Sequence, residues 1–504
     1  MKQPAYPTLY QINTRVWLTA LSQDLGRPAT LDDIPDTTLD RLGEMKLDWV
    51  WLLSVWCTGE LGRKISLEHP DFRRDFKETL PDLCDDDIGG SGFSIAGYTV
   101  HPSLGGDDAL KRLRSRLEKR GLKLMLDFVP NHIGPDHPWI KEHPDYFVSG
   151  TTRDLESSPE NYTLVKHGDT ETVLAYGRDP YFAGWPDTIQ LDYSHAATTE
   201  AMLQELLRIA DQCDGVRCDM AMLILPEVFE KTWGRQAQSF WPMAIKAVRE
   251  KKPHFTFMAE VYWDMEWTLH QLGFDYAYDK RLYDRLRDGH TKAIREHYYA
   301  GLDYQNKLVR FLENHDEPRV AATFDQPSHQ AAAVITFLSP GLRFFHDGQF
   351  EGRTKRISPH LVRAPQEPHN DVTQHFYDKL LNALRKPVLR DGRWQMLHAL
   401  PAWDGNESHE FYLAFAWQEA GEAEIVVCVN YSPTDAQCFV ELPFADFAGR
   451  TIQLTDLMSE ARYERDGDDL LSRGLYLELH AWGYHVFEVH RAGQERMYVA
   501  SEKS

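Results

Sequence analysis

Three acidic side chains far apart in the sequence, Asp219, Glu260 and Asp316, lie at the ends of the short segments GVRCD, FMAE and FLENHD. A fourth segment, LDFVPNH, carries Asp127, Asn131 and His132. Two carboxyl groups about 5–5.5 Å apart can open an acetal in two displacements, one ionised and attacking the anomeric carbon, the other protonated and releasing the leaving group. Asp219 is the expected nucleophile: Arg217, two residues earlier, falls on the same side of an extended strand and would keep the carboxylate ionised and oriented. Glu260, preceded by Phe257, Met258 and Ala259, is the expected acid, because apolar surroundings raise a carboxyl pKa. A single acid closing a strand is more often a helix cap or ion-pair partner than a catalyst. It is the recurrence of the pattern that points to chemistry. His132 and His315 stand beside strand-end polar residues and can donate to sugar hydroxyls, while Asp316 can accept from a vicinal pair of them.

Such groups need a scaffold that brings distant strand ends together. Apolar runs alternate with amphipathic stretches over most of the chain, the pattern of a parallel sheet wrapped in helices. Eight strands are expected: Leu9–Trp17, Trp49–Val55, Leu122–Val129, Val216–Asp219, Phe255–Glu260, Gly273–Tyr276, Leu308–Leu312 and Leu342–Phe345. Eight such units close a (β/α)8 barrel, an α/β fold whose sites sit at the C-terminal ends of the strands. Helices are expected at Leu39–Met45, Asp107–Arg120, Thr198–Asp211 (with Thr198 as N-cap) and Ala331–Leu338. The barrel would occupy 1–130 and 196–392. Residues 131–195, rich in Pro, Gly, Asp and Trp, are too long for an ordinary loop and are expected to form a small subdomain over the barrel mouth. Alternating β-type segments over 393–490, among them Phe411–Trp417 and Leu475–Leu479, predict an antiparallel β-sandwich. The polar tail 491–504 is expected to fray.

Composition narrows the partners. Lys and Arg total 55 against 77 Asp and Glu, a net charge of −22 that repels phosphate backbones and anionic membrane surfaces. Nucleic acid and membrane are therefore not expected partners; a neutral sugar needs no charge steering. No apolar run reaches the ~20 residues of a membrane span, and the N-terminus lacks the apolar stretch of a signal peptide. The six cysteines have no CxxC spacing, so a zinc site or disulfide framework is not indicated and a reduced, cytoplasmic setting is expected.

The four polar strand ends resemble, in order and spacing, the conserved regions of glycoside hydrolase family 13, the α-amylase family, and WPDTIQLDY (Trp185–Tyr193) resembles its fifth region. The resemblance implies a retaining hydrolase of α-glucosidic bonds, or a transglycosylase or phosphorylase of the same family; a catalytically silent binding or scaffold barrel is the further alternative, disfavoured because all three carboxylates are present. The resemblance assigns Asp219 as nucleophile, Glu260 as general acid/base and Asp316 as the third carboxylate, which stabilises the transition state. Arg217, His132 and His315 match the positions around the sugar being cleaved, with Asp127 and Asn131 as polar members of the first region. GGSGFSIAGY (Gly89–Tyr98) resembles the segment bearing a stacking ring, here Phe93, with Tyr98 nearby. Trp263, Trp56, Trp139 and Trp185 are candidate platforms for further sugars, although a buried Trp is more often core. Asn131 also resembles a calcium ligand of the family, but no set of hard oxygen ligands surrounds it in the sequence, so no metal or other cofactor is assigned. Met222 and Leu223 stand where many starch-degrading members have Lys and His, and an apolar patch there cannot hydrogen-bond the next glucose of a starch chain.

Overall fold

The computed structural model describes residues 3–167, 170–420 and 422–491. Strands β1 (Thr8–Asn13), β2 (Trp49–Leu53), β3 (Lys123–Phe128), β4 (Gly215–Cys218), β5 (Thr256–Ala259), β6 (Tyr276–Tyr278), β7 (Leu308–Arg310) and β8 (Leu342–His346) form a closed parallel barrel in which β1 also pairs with β8. Nearly every residue of these strands is buried. Helices cover the outside and side chains fill the inside, which is why the strands read as continuous apolar runs rather than as alternation. The amphipathic helix Gly106–Glu118 shows how the outer layer is held: Ala109, Leu110, Leu113 and Leu117 are buried, at the spacing of one helical face. Asp107 and Asp108 begin this helix and Arg116 lies in its last turn, the order that the helix dipole favours.

Between β3 and β4, the chain leaves the barrel. It forms the short pair His132–Ile133 with Ile189–Gln190, the hairpin Tyr162–His167 with Thr170–Ala175, and brief helical turns at Trp139–Glu142 and Thr152–Ser157. The last part of the chain is a two-sheet antiparallel sandwich. Its larger sheet runs in the order Arg393–Leu397, Tyr412–Glu419, Glu422–Asn430, Tyr484–Arg491, Thr451–Asp456, Arg462–Asp466; the smaller one holds Ala399–Pro401, Ala436–Val440 and Leu475–Leu479. Val426 and Cys428 face the sandwich interior. Ile425, Val427 and Val429 face the barrel and join its core, as the period-two alternation of a strand requires. Trp417 seals this junction by donating Nε1–H to the Leu338 carbonyl at 2.7 Å.

Several expectations are corrected in detail. The first strand stops at Asn13, not Trp17, because the Asn13 side chain caps a helix over Thr14–Leu25 by accepting from the Val16 N–H. The sixth strand lies at Tyr276–Tyr278, two to three residues later than expected. The helix expected from Thr198 begins at Ala196 after His195, and Thr198 is buried, donating its hydroxyl to the Tyr146 carbonyl. Arg491 is the last residue of a strand; the rest of the expected frayed tail lies outside the described residues. The six cysteines are all free thiols, and among the described residues no helix is long and apolar enough to cross a membrane.

Candidate functional site

Strand register builds the site. Arg217 on β4 lies opposite Asp127 on β3 and Met258 on β5, and Cys218 lies opposite Ala259. Asp219 and Glu260, the next residue on each strand, therefore leave the barrel side by side. Main-chain bonds fix the exit: Asp219 N–H donates to Phe128 O at 2.9 Å, and Glu260 N–H to Cys218 O at 3.0 Å.

The Arg217 guanidinium sits fully buried at the centre. Nη1 lies 2.7 Å from Asp219 Oδ1 and 3.4 Å from Asp127 Oδ1, and Nη2 lies 2.7 Å from Glu260 Oε2. One cation thus faces three carboxyl groups, and burial makes their full ionisation costly. Burial pushes Glu260 up to about 7 against the pull of Arg217, with Asp219 and Asp316 adding repulsion. Asp219 is likewise raised by burial, to about 6, with Arg217 again opposing. Both carboxyls are thus raised above their ordinary range beside one buried cation. Glu260 Oε2 is taken by Arg217 and by the Met220 N–H at 2.7 Å, whereas Oε1 has the Tyr262 hydroxyl at 3.0 Å. Met220, directly after Asp219, is in the left-handed region at φ 41°, a conformation costing a non-glycine residue about 1–2 kcal/mol; it points that N–H at Glu260.

Asp316 belongs to the same mouth. Its side chain is 43% exposed and lies 2.9 Å from His315 Nε2. Burial raises its pKa, but His315, and more distantly Arg217, outweigh this and hold it low, at about 2; the exposure works in the same direction. His315 is oriented from behind by Gln11 Nε2, 3.0 Å from its Nδ1. Phe93 lies over Arg217 at 5.2 Å and against the His315 ring at 5.4 Å. Gly92 makes this possible, since a Cβ there would meet Ser54 Oγ at 1.9 Å. His132 packs on Trp185 at 5.3 Å, burial keeps it neutral with its pKa near 3, and among the described residues its Nε2 has no hydrogen-bond partner.

Other candidates occupy different positions. Tyr98 is buried, and its hydroxyl is committed to the carbonyl and N–H of Val129 at 3.0 and 2.9 Å, so it braces the β3 exit. Trp56 is likewise core, donating to Asp127 O. Trp139 packs against His137 and Tyr146. Trp263, three residues after Glu260, is 38% exposed and meets Tyr181 of the inserted subdomain edge-on at 5.0 Å. Met222 and Leu223 are fully buried in a short turn, so the apolar patch expected on the leaving-group side is core, not cleft surface. The sequence analysis passed over Tyr262, Gln11 and Trp51. Tyr262 follows Glu260 by two residues, the same alternation that linked Arg217 to Asp219. Gln11 and Trp51 lie on fully buried strands, where a polar group needs a partner; Trp51 Nε1 reaches Asp127 Oδ2 at 3.2 Å.

Residues 81–395 match the family described as "Alpha amylase, catalytic domain". The chain belongs to the α-amylase family. An alpha-1,4-glucan:maltose-1-phosphate maltosyltransferase from Burkholderia pseudomallei is 32% identical over 171 residues, 32% of this chain and 14% of that protein. Alpha-amylase MalA from Haloarcula japonica is 24% identical over 277 residues, 53% of this chain and 37% of its own length. The alignments thus span well under half of these curated relatives. The crystal structure of a maltogenic α-amylase, AmyB, from Thermotoga neapolitana superposes with a TM-score of 0.67 at 18% identity, over 96% of this chain and 99% of that one; it shares the fold. The family resemblance implies a calcium ion at Asn131, and the residues here do not suit one. Asn131 Oδ1, Asn131 O and Leu191 O all accept from the Gln190 amide nitrogen, at 3.0, 2.9 and 3.1 Å, and a donor amide repels a cation from the oxygens that it bridges. Among the described residues, no group of three or more His, Cys, Asp or Glu is placed to hold a metal.

Proposed function

We propose that this protein cleaves α-glucosidic bonds of oligosaccharides or small α-glucosides with retention, through a covalent glycosyl-enzyme. The observation that carries the reading is the single Arg217 guanidinium holding Asp219 on one nitrogen and Glu260 on the other. In the first step an Asp219 oxygen bonds to the anomeric carbon as the glycosidic C–O bond breaks, and the Glu260 proton passes to the departing oxygen. In the second, Glu260 takes a proton from water, whose oxygen bonds to the anomeric carbon and frees Asp219. Asp316 and His315 grip sugar hydroxyls, and Phe93 stacks on the ring, contacts that strengthen as the ring flattens. His132, neutral and with an unused ring nitrogen, serves the same sugar.

A second reading, transfer to a sugar hydroxyl in place of water, shares every step but the acceptor. It is favoured by the exposed Trp263–Tyr181 pair beside the acid, a surface on which an acceptor ring can stack, and by the relative named a maltosyltransferase. A panel of maltose, trehalose, sucrose, malto-oligosaccharides and glucosylglycerol, with product analysis, tests both. Release of glucose units alone supports hydrolysis, new glucosides support transfer, and no turnover of any α-glucoside overturns the proposal.

A further inference from the structure

Arg15, in the helix that follows β1, is only 8% exposed. Among the described residues its hydrogen bonds go to neutral acceptors, from Nη1 to Gly90 O at 2.9 Å and from Nη2 to Thr58 Oγ1 at 3.0 Å, and no carboxylate lies within ion-pair distance. The other deeply buried arginines are compensated. Arg217 and Arg319 face carboxylates, as does Arg310, paired with Asp279; Arg343 has no ion pair either, but three main-chain carbonyls occupy its guanidinium, one more acceptor than Arg15 has. A guanidinium has five N–H groups, and leaving its charge buried without a counter-charge is costly.

Arg15 lines an open pocket of about 350 Å³, with Glu60 among its other lining residues. Its wall carries a second guanidinium, Arg63, anchored to Ile88 O at 2.8 Å and Asp85 O at 3.1 Å, with only a loose 4.0 Å contact to the exposed Glu60. Thr58, Ser103 and His101 add hydrogen-bonding groups to the same wall. Two forked cations and hydroxyls around a space this large suit a tetrahedral oxyanion, whose several acceptors match guanidinium geometry. We propose that this cavity binds a phosphate group, free or carried by a small phosphorylated sugar, against Arg15 and Arg63. The site lies apart from the carboxylate cluster but is tied to it through Gly90, which Arg15 holds by its carbonyl and which precedes the stacking ring Phe93 by three residues. Gly90 is at φ +82°, and a Cβ there would press on the Arg63 backbone at 3.0 Å, so this strap cannot easily shift without moving both arginines.

The test is calorimetric titration of the full chain with inorganic phosphate and with glucose 6-phosphate, glucose serving as the neutral control. The expected result is saturable binding of at least one phosphate ligand that excess glucose, which fits the carboxylate site, does not displace. Equal affinity for both ligands identifies free phosphate, and tighter binding of the sugar phosphate identifies the phosphosugar. Arg15→Gln should weaken binding about tenfold or more, equivalent to one charge-assisted contact, and Arg15→Lys should restore part of it. Should Arg15→Gln fail to fold, Arg63→Gln, at a more exposed position, should weaken binding in the same direction. Absence of saturable binding of either phosphate ligand, or unchanged affinity in the folded arginine variants, overturns the proposal. None of these outcomes depends on the chemistry assigned to Asp219.

Discussion

Arg217 Nη1 lies 2.7 Å from Asp219 Oδ1, two residues further along the same strand end. The contact comes directly from β-geometry, in which residues two apart share a face. The second nitrogen of the same guanidinium reaches Glu260 on the neighbouring strand, so one side chain contacts both carboxyls of the proposed mechanism.

Arg217→Lys should therefore not behave as a conservative change. A point charge on a flexible stem cannot span Asp219 and Glu260 as the planar fork does. We expect kcat to fall about a hundredfold or more while circular dichroism shows a folded barrel; near-normal kcat would contradict the bridging role.

Glu260→Gln should lose activity on substrates with poor leaving groups yet spare an aryl α-glucoside whose phenol departs without protonation. Comparing kcat for the glycosylation step on the two substrate classes checks this, and equal loss on both argues against an acid role.

The pH profile of kcat/KM should be bell-shaped and narrow. The ascending limb follows ionisation of Asp219, raised by burial, and the descending limb follows loss of the Glu260 proton near pH 7; both apparent values belong to the interacting pair. The Tyr262 hydroxyl donates to Glu260 Oε1 and so favours its ionised form. Tyr262→Phe should move the descending limb upward by about one unit. A downward move would contradict this placement.

The same burial makes a stability prediction. Glu260 has a folded-state pKa above its unfolded value. Its contribution to stability is thus fully present below about pH 4.5 and is lost as pH rises through about 7. Glu260→Gln does not titrate, so its stability relative to the parent should rise across that window by at most about 3 kcal/mol, read from urea midpoints at pH 5 and pH 8. A flat difference would show that the carboxyl is not strained in the fold.

Gln190 gives the metal test. With its amide bridging Asn131 and Leu191, thermal unfolding should be unchanged by a chelator or by added calcium. A chelator-dependent drop in Tm would overturn the fit.

The barrel was legible because its strands are buried on both faces and its helices carry regular apolar stripes. Legibility failed where side chains override the local pattern. Asn13 is an apolar run's continuation by composition, yet its side chain starts a helix. Arg462–Asp466, RYERD, is an edge strand with almost no buried face, so no alternation announced it. Asp219 and Glu260 each follow the last residue of a strand, whereas the seventh strand stops at Arg310 and Asp316 lies in the loop beyond it; the behaviour of Tyr98, Met222 and Leu223 depends on which way a loop folds back, and nothing in their spacing encodes it. Tyr98 is spent on the Val129 backbone, and Met222 and Leu223 turn inward.

The central claim is that Asp219 bonds covalently to the anomeric carbon. Incubation with a slowly turned-over fluoroglucosyl fluoride, digestion and peptide mass spectrometry tests it most directly. The account predicts one added glycosyl mass on the peptide containing Asp219, absent in Asp219→Asn. A label on another carboxylate, or turnover that inverts the anomeric configuration with no label, would contradict it.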